Sequence, residues 1–147
     1  MVFRRISLVA VLLIVTLLAG AKGKPNAYGK GVGKVYIFGV TMQLTDSIVY
    51  ITSINEVDSI DLDKKTKFLP FRSEFSLQLK EYMEGKLQAQ HQTSCVYYSP
   101  NRKKIARKFY KIKKRYLDNA YTRVVMLDDK QFKFKHPLES IAYEEKE

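Results

Sequence analysis

Six consecutive residues, Val35-Tyr36-Ile37-Phe38-Gly39-Val40, restrict this chain more than any other feature. In an extended strand side chains alternate between faces, so Val35 and Ile37 point one way and Tyr36, Phe38 and Val40 the other. Both faces therefore carry bulk. A strand of this kind suggests cover on both sides of its sheet. Gly39 within the run reads as the mark of a β-bulge. A second strand-like run, Ile48 to Ile54, follows the polar Thr45-Asp46-Ser47, so Val35–Leu44 and Ile48–Ile54 predict a β-hairpin.

The 147-residue chain has room for one domain, and 28% charged with 46% hydrophobic residues argues against disorder and against several membrane spans. The start of the chain has a different character. Arg4 and Arg5 precede an apolar run from Ile6 to Leu18, and Ala19-Gly20-Ala21 has the small-x-small form of a cleavage site. Residues 1–21 read as a secretory signal peptide, with an uncleaved anchor as the other reading, and the apolar run meets Lys22 before the roughly 20 residues of a bilayer crossing. Cleavage after Ala21 leaves 126 residues. The single cysteine, Cys95, lies far from that site, which excludes lipid attachment there and leaves no intramolecular disulfide. Residues 22–33 are rich in Lys, Gly, Pro and Asn and read as a flexible tether before a globular domain over 34–136 and an acidic tail over 137–147.

Past the hairpin, Val57, Ile60 and Leu62 extend the second strand beyond a bulge or form a short strand of their own. Ser73 is placed to cap a helix whose Phe75, Leu79, Tyr82 and Met83 share one face, with Gly85 ending it. Ser94 to Tyr98 is a short strand leading into Ser99-Pro100, a cap with proline at the first helical position. Ile105, Phe109, Ile112 and Tyr116 line one side of the helix that follows, Asp118-Asn119 stops it, and Thr122 to Leu127 is a strand. Strand, helix and strand make a βαβ unit, and Phe132-Lys133-Phe134 adds a last edge strand. The expected fold is thus a single small α/β or α+β domain with elements in the order β-β-α-β-α-β, a mixed sheet of four or five strands and two helices.

Candidate chemistry is sparse. Gly29-Lys30-Gly31-Val32-Gly33-Lys34 lacks the glycine and hydroxyl positions of a phosphate loop or dinucleotide fingerprint, and its strand follows where it should precede. His91, Thr93, Cys95 and Tyr97 share a face if their strand starts early enough. That arrangement raises thiol chemistry by Cys95 and His91 in a small envelope enzyme as the alternative to a non-enzymatic domain, with no third group to orient them. His91, His136 and Cys95 have no metal-ligand spacing, and Asp58, Asp61 and Asp63 lack the glycine and final glutamate of a calcium loop. No catalytic residue, metal or cofactor is assigned.

Charge carries more information. Residues 22–98 hold 10 basic and 8 acidic side chains, against 14 and 7 over 99–147, so the excess sits mainly in one helix. Its like-charged neighbours at 104/108, 107/111 and 111/115 each cost a few tenths of a kcal/mol, and its first-turn cations oppose the helix dipole. Helix stability alone does not ask for this. Two readings stand, a merely solvated outer face on a crossover helix, or an anion site at Ser99, Arg102, Lys103, Lys104, Arg107, Lys108 and Lys111, grouped at and beyond the helix start. Tyr110 lies among the cations, placed to stack on a sugar ring or to edge the core. With export, the expected partners are an anionic envelope lipid, an acidic polysaccharide or an acidic protein surface, and no nucleic acid is expected. The oligomeric state is left open.

Val35 to Val40, Asp46-Ser47-Ile48-Val49-Tyr50, Lys65-Thr66-Lys67-Phe68-Leu69 and Phe132-Lys133-Phe134 together resemble small exported proteins of unknown function found in Bacteroidota. The resemblance covers most of the residues beyond 33 and carries no activity with it. It implies a cell-envelope location in a Gram-negative anaerobe, periplasmic or extracellular. Intact-mass measurement on protein from fractionated cells tests export. The expected mature chain starts at Lys22, and a cytoplasmic chain that retains Met1 contradicts it.

Overall fold

The computed structural model describes residues 33–139, so the expected signal peptide, nearly all of the tether and residues 140–147 of the acidic tail lie outside the described residues. Within them stand β1 (Lys34–Met42), β2 (Ile48–Thr52), β3 (Asn55–Asp58), α1 (Arg72–Gly85), β4 (Thr93–Ser99), α2 (Arg102–Leu117) and β5 (Arg123–Leu127). This is an α+β domain with a mixed five-stranded sheet and two main helices. The expected order gains one strand, β3, because Val57 belongs to a short strand of its own rather than to an extension of the second.

Strand β1 organises the sheet. Its residues 36–42 pair antiparallel with β4, while on its other edge residues 34–37 pair with β3 and residues 40–42 with β2, both antiparallel. Beyond β2 lies β5, parallel to it. Phe38 and Gly39 are opposed by three residues, Thr52, Ser53 and Ile54, so the register shifts by one between β2 and β3. The bulge that Gly39 suggested thus lies on the strand opposite it. β4 runs parallel to β5, but β1 and β2 lie between them, so the crossover through α2 spans two strands. The second half of the domain is a βαβ connection whose strands are not neighbours.

Each face of the sheet receives one helix. Val35, Ile37, Val57, Val96 and Leu127 bury against Phe75, Leu79 and Met83 of α1, joined by Phe132 and Phe134. Phe38, Val40, Val49 and Ile51 bury against Ile105, Phe109 and Ile112 of α2. Both apolar stripes are those that helical spacing predicts, and the two-sided cover of β1 follows its alternation. Gly39 has a packing role: a Cβ there would sit 2.4 Å from Leu79 Cδ2 and 3.0 Å from Phe134 Cζ. The missing side chain lets α1 rest on the sheet.

Three local expectations need correction. Ser73 does not cap α1, which starts at Arg72 after Phe71 in a left-handed conformation with φ 58° and no side-chain cap. Ser99 does not cap α2, because pairing with Tyr36 keeps it in β4 and Asn101 takes the position, its Oδ1 accepting from the Lys104 N–H at 3.1 Å. Asn caps at least as well as Ser. Nor is Phe132-Lys133-Phe134 a strand. Side chains satisfy the backbone there: the Phe134 N–H donates to Asn55 Oδ1 at 3.0 Å, and Gln78 of α1 both accepts from the Lys135 N–H and donates to its carbonyl. Asn55 Nδ2 donates in turn to Asp129 at 2.8 Å, fixing the segment beside the bulge. Both phenylalanine rings enter the α1 core, 4.8 Å apart edge to face.

Gly39→Ala should cost about 1–3 kcal/mol by overpacking, and Leu79→Ala about 2–5 kcal/mol by leaving a cavity. The double variant should cost clearly less than their sum, because each change relieves the other. Denaturant unfolding measures the cycle, and strict additivity would mean that α1 does not rest on Gly39.

Candidate anion-binding surface

Helix α2 carries its apolar stripe inward and its cations everywhere else, with no acid in the first turn and Lys114 and Arg115 in the last. A period of 3.6 residues places Arg107, Lys111 and Arg115 one turn apart and brings Lys108 beside them. This flank turns toward β4. Together with Ile112 and Tyr97 of β4, the four cations line an open groove of about 360 Å³.

Tyr97 makes two ring contacts. Its ring stacks on Phe38 with centroids 5.1 Å apart, and Lys108 Nζ stands 4.8 Å from the ring centre on a cation–π contact. Burial pushes the phenol pKa up, followed by the neighbouring Cys95 and Tyr116, with Arg115 opposing them. A second hollow of about 330 Å³ shares Tyr97 and Lys108 and continues to Val96, Tyr98 and Arg72 at the start of α1. The positive strip therefore extends around the outer edge of β4, which pairs only with β1 among the described residues.

Among the described residues, none of these cations has a carboxylate within ion-pair distance. The ion pairs among the described residues are Lys34 with Glu56 at 2.7 Å and Lys80 with Glu84 at 3.9 Å, both away from the groove. Exposed lysines cost little when unpaired. Four converging cations with no counter-charge among the described residues nevertheless give the groove a positive potential that an anion would neutralise.

Of the seven residues that the sequence singles out, the groove gathers Arg107, Lys108 and Lys111. Ser99, Arg102, Lys103 and Lys104 lie at the helix start, outside its lining. There the Asn101 cap already accepts the Lys104 N–H, Ser99 Oγ accepts the Asn101 N–H at 3.1 Å, and Arg102 is close enough to Glu56 to help hold that carboxyl below its ordinary pKa, after the larger effects of Lys34 and Tyr36. β4 is also an outer strand rather than a central parallel one, so this helix start is not the strand-end crevice of an open parallel sheet. The cationic focus lies one to three turns further along. Sequence reasoning left out Arg115, whose spacing from Lys111 was visible, and Tyr97 and Arg72, which only the packing of β4 brings in. Tyr110 is 67% exposed, touches Phe109 edge to face and does not line the groove.

The remaining candidates separate. β4 begins at Thr93, and His91 precedes it, exposed and with φ 57°, so His91 does not share the strand face of the half-buried Cys95. The Cys95 thiol faces Tyr97 within the α2 core. Among the described residues no group of three His, Cys, Asp or Glu side chains is placed to hold a metal. Asp63 is a turn residue: it accepts the Thr66 N–H at 2.6 Å, the Thr66 hydroxyl at 2.7 Å and the Lys65 N–H at 3.0 Å, and these bonds lower its pKa. Comparison of the chain with protein-family models, with curated proteins and with solved structures found no match.

The raised pKa of Tyr97 means that the fold favours the neutral phenol. That contribution to stability is complete below the ordinary phenol pKa and is lost as pH rises through the folded value. In an absorbance titration of wild type against Tyr97→Phe, the tyrosine missing from the variant should be one that ionises later than an ordinary phenol. A missing tyrosine that titrates with the normal ones would mean that Tyr97 is not enclosed.

Proposed function

We propose that this chain is an exported, non-enzymatic interaction domain of the cell envelope that holds an anionic partner against α2. The observation that carries this reading is the convergence of Arg107, Lys108, Lys111 and Arg115 on one groove beside Tyr97, with no carboxylate paired to any of them among the described residues. Export is supported by the arginine pair, apolar run and small residues of positions 4–21. The groove suits a phosphate, sulfate or carboxylate group. Arginine offers a fork of donors, lysine a mobile point charge, and Tyr97 an aromatic wall.

Thiol chemistry by Cys95 and His91 is the alternative, and Cys95→Ala with His91→Ala separates the two readings: binding that survives both changes belongs to the cations. Binding to polyphosphate across a salt series tests the groove. Lys108→Glu, Lys111→Glu and Arg115→Glu combined should weaken it more than about tenfold, since each reversed charge near the anion is worth about 1 kcal/mol or more. Reversal of the exposed Lys103, Lys114 and Lys130 changes net charge equally and should do much less. Equal losses in the two triple variants would reduce the interaction to overall charge, and wild-type binding that ignores salt would remove the electrostatic reading.

A further inference from the structure

The end of the domain where α2 finishes carries a second feature, which the groove does not explain. Two loops meet there: the β1–β2 turn over residues 43–47 and the α2–β5 connection, joined by the Arg123 N–H donating to the Ser47 carbonyl at 2.8 Å. Each presents large apolar side chains to solvent. Leu44 is 85% exposed in the first loop, Leu117 is 57% exposed at the last position of α2, and Tyr121 is 88% exposed in the second loop. Hydrogen bonds shape both loops, with the Asp46 N–H on the Gln43 carbonyl at 3.1 Å and the Tyr121 N–H on Asn119 Oδ1 at 3.0 Å.

The same end is positive. Lys113, Lys114 and Arg115 close α2 and Arg123 opens β5, against Asp46 and Asp118. The groove opens alongside, since Arg115 belongs to both features. Apolar tips projecting among cations, next to a cationic groove, match the requirements of an anionic bilayer surface. Leucine enters the acyl boundary, tyrosine settles at the headgroup level, and lysine and arginine answer the lipid phosphates. No described helix is long and apolar enough to cross a membrane.

We infer that the anionic partner is a phospholipid bilayer surface, with the groove taking a headgroup phosphate while Leu44, Leu117 and Tyr121 enter the interface. This rests on the anion-binding reading of the groove. It adds that binding has an apolar component, which a soluble polyanion cannot use.

The test compares full-length wild type with Leu44→Ser/Leu117→Ser/Tyr121→Ser, prepared with the same N-terminus so that residues 6–18 contribute equally to both. Three probes are used: phosphatidylcholine vesicles, phosphatidylcholine vesicles containing phosphatidylglycerol, and polyphosphate. Wild type should float with the phosphatidylglycerol vesicles, less so at high salt, and only weakly with phosphatidylcholine alone. The apolar-tip variant should bind the anionic vesicles about tenfold more weakly, in line with the loss of several partly buried apolar side chains, and bind polyphosphate as wild type does. All three substitutions are at exposed positions, and an unchanged unfolding curve checks that the fold is kept. Wild type that binds polyphosphate but neither vesicle, or a tip variant that holds the anionic vesicles as tightly as wild type, overturns the bilayer inference and leaves the groove reading standing. Polyphosphate binding unaffected by the groove charge reversals overturns that underlying reading instead.

Discussion

Everything in this domain is built around a strand whose middle, Ile37 to Thr41, is buried on both faces. β1 pairs with three other strands, and its residues alternate into two separate cores, Val35 and Ile37 under α1 and Phe38 and Val40 under α2. Each fully buried side chain of this size contributes about 1.5–3 kcal/mol from leaving water, so neither helix layer is dispensable. Gly39 shows how tight the arrangement is. At that position the strand gives up a side chain so that Leu79 and Phe134 can approach the backbone, and the opposing strand inserts its extra residue there. The Gly39 N–H is then taken by the buried Thr52 hydroxyl at 2.9 Å, a side chain doing the work of the interrupted ladder.

The two helices stand in contrast. α1 carries Lys80 and Glu84 as an i,i+4 pair and has both signs of charge on its exposed side, as a surface helix usually does. α2 has no acid before its cap at Asp118, and its rows of like charges work against its own helicity. Its buried stripe of Ile105, Phe109 and Ile112, the Asn101 cap and the basic last turn offset that repulsion. The stability lost to repulsion is small beside the stripe's contribution, so the cationic surface can persist on a well-anchored helix. Because α2 lies over the sheet with one flank toward β4, some of its cations gather at a concave seam and others face open water.

Elements whose signals are periodic were legible in the chain itself. The alternation of residues 35–40, the stripe of Phe75, Leu79 and Met83, and that of Ile105, Phe109 and Ile112 each placed a strand or helix and its buried face. What escaped depends on partners distant in sequence. Ser73 and Ser99 looked like caps by residue type, but the register of β4 against β1 holds Ser99 in the strand, and Phe71 enters α1 through a left-handed turn that no composition rule marks. Phe132-Lys133-Phe134 has the composition of a strand, yet side-chain amides of Asn55 and Gln78 occupy backbone groups a ladder would use. The candidate groove was half visible for the same reason. Helical spacing could rank the cations around α2, while the choice of Lys108, Lys111 and Arg115 over Lys103 and Lys104 depends on which flank meets Tyr97.

The segment around Phe134 has a consequence for the order in which this protein can be made. Phe132 and Phe134 complete the core beneath α1, and the Phe134 N–H closes onto Asn55, 79 residues earlier. A chain leaving the ribosome N-terminus first therefore holds β1, β3 and α1 from Gly85 until Phe134 is made, with that layer unfinished and its apolar surface exposed. Native packing waits for nearly the last residues of the domain. Until then the exposed layer is the part most open to aggregation or to capture by a holding chaperone, a stage that a domain closed early by local contacts would pass through only briefly.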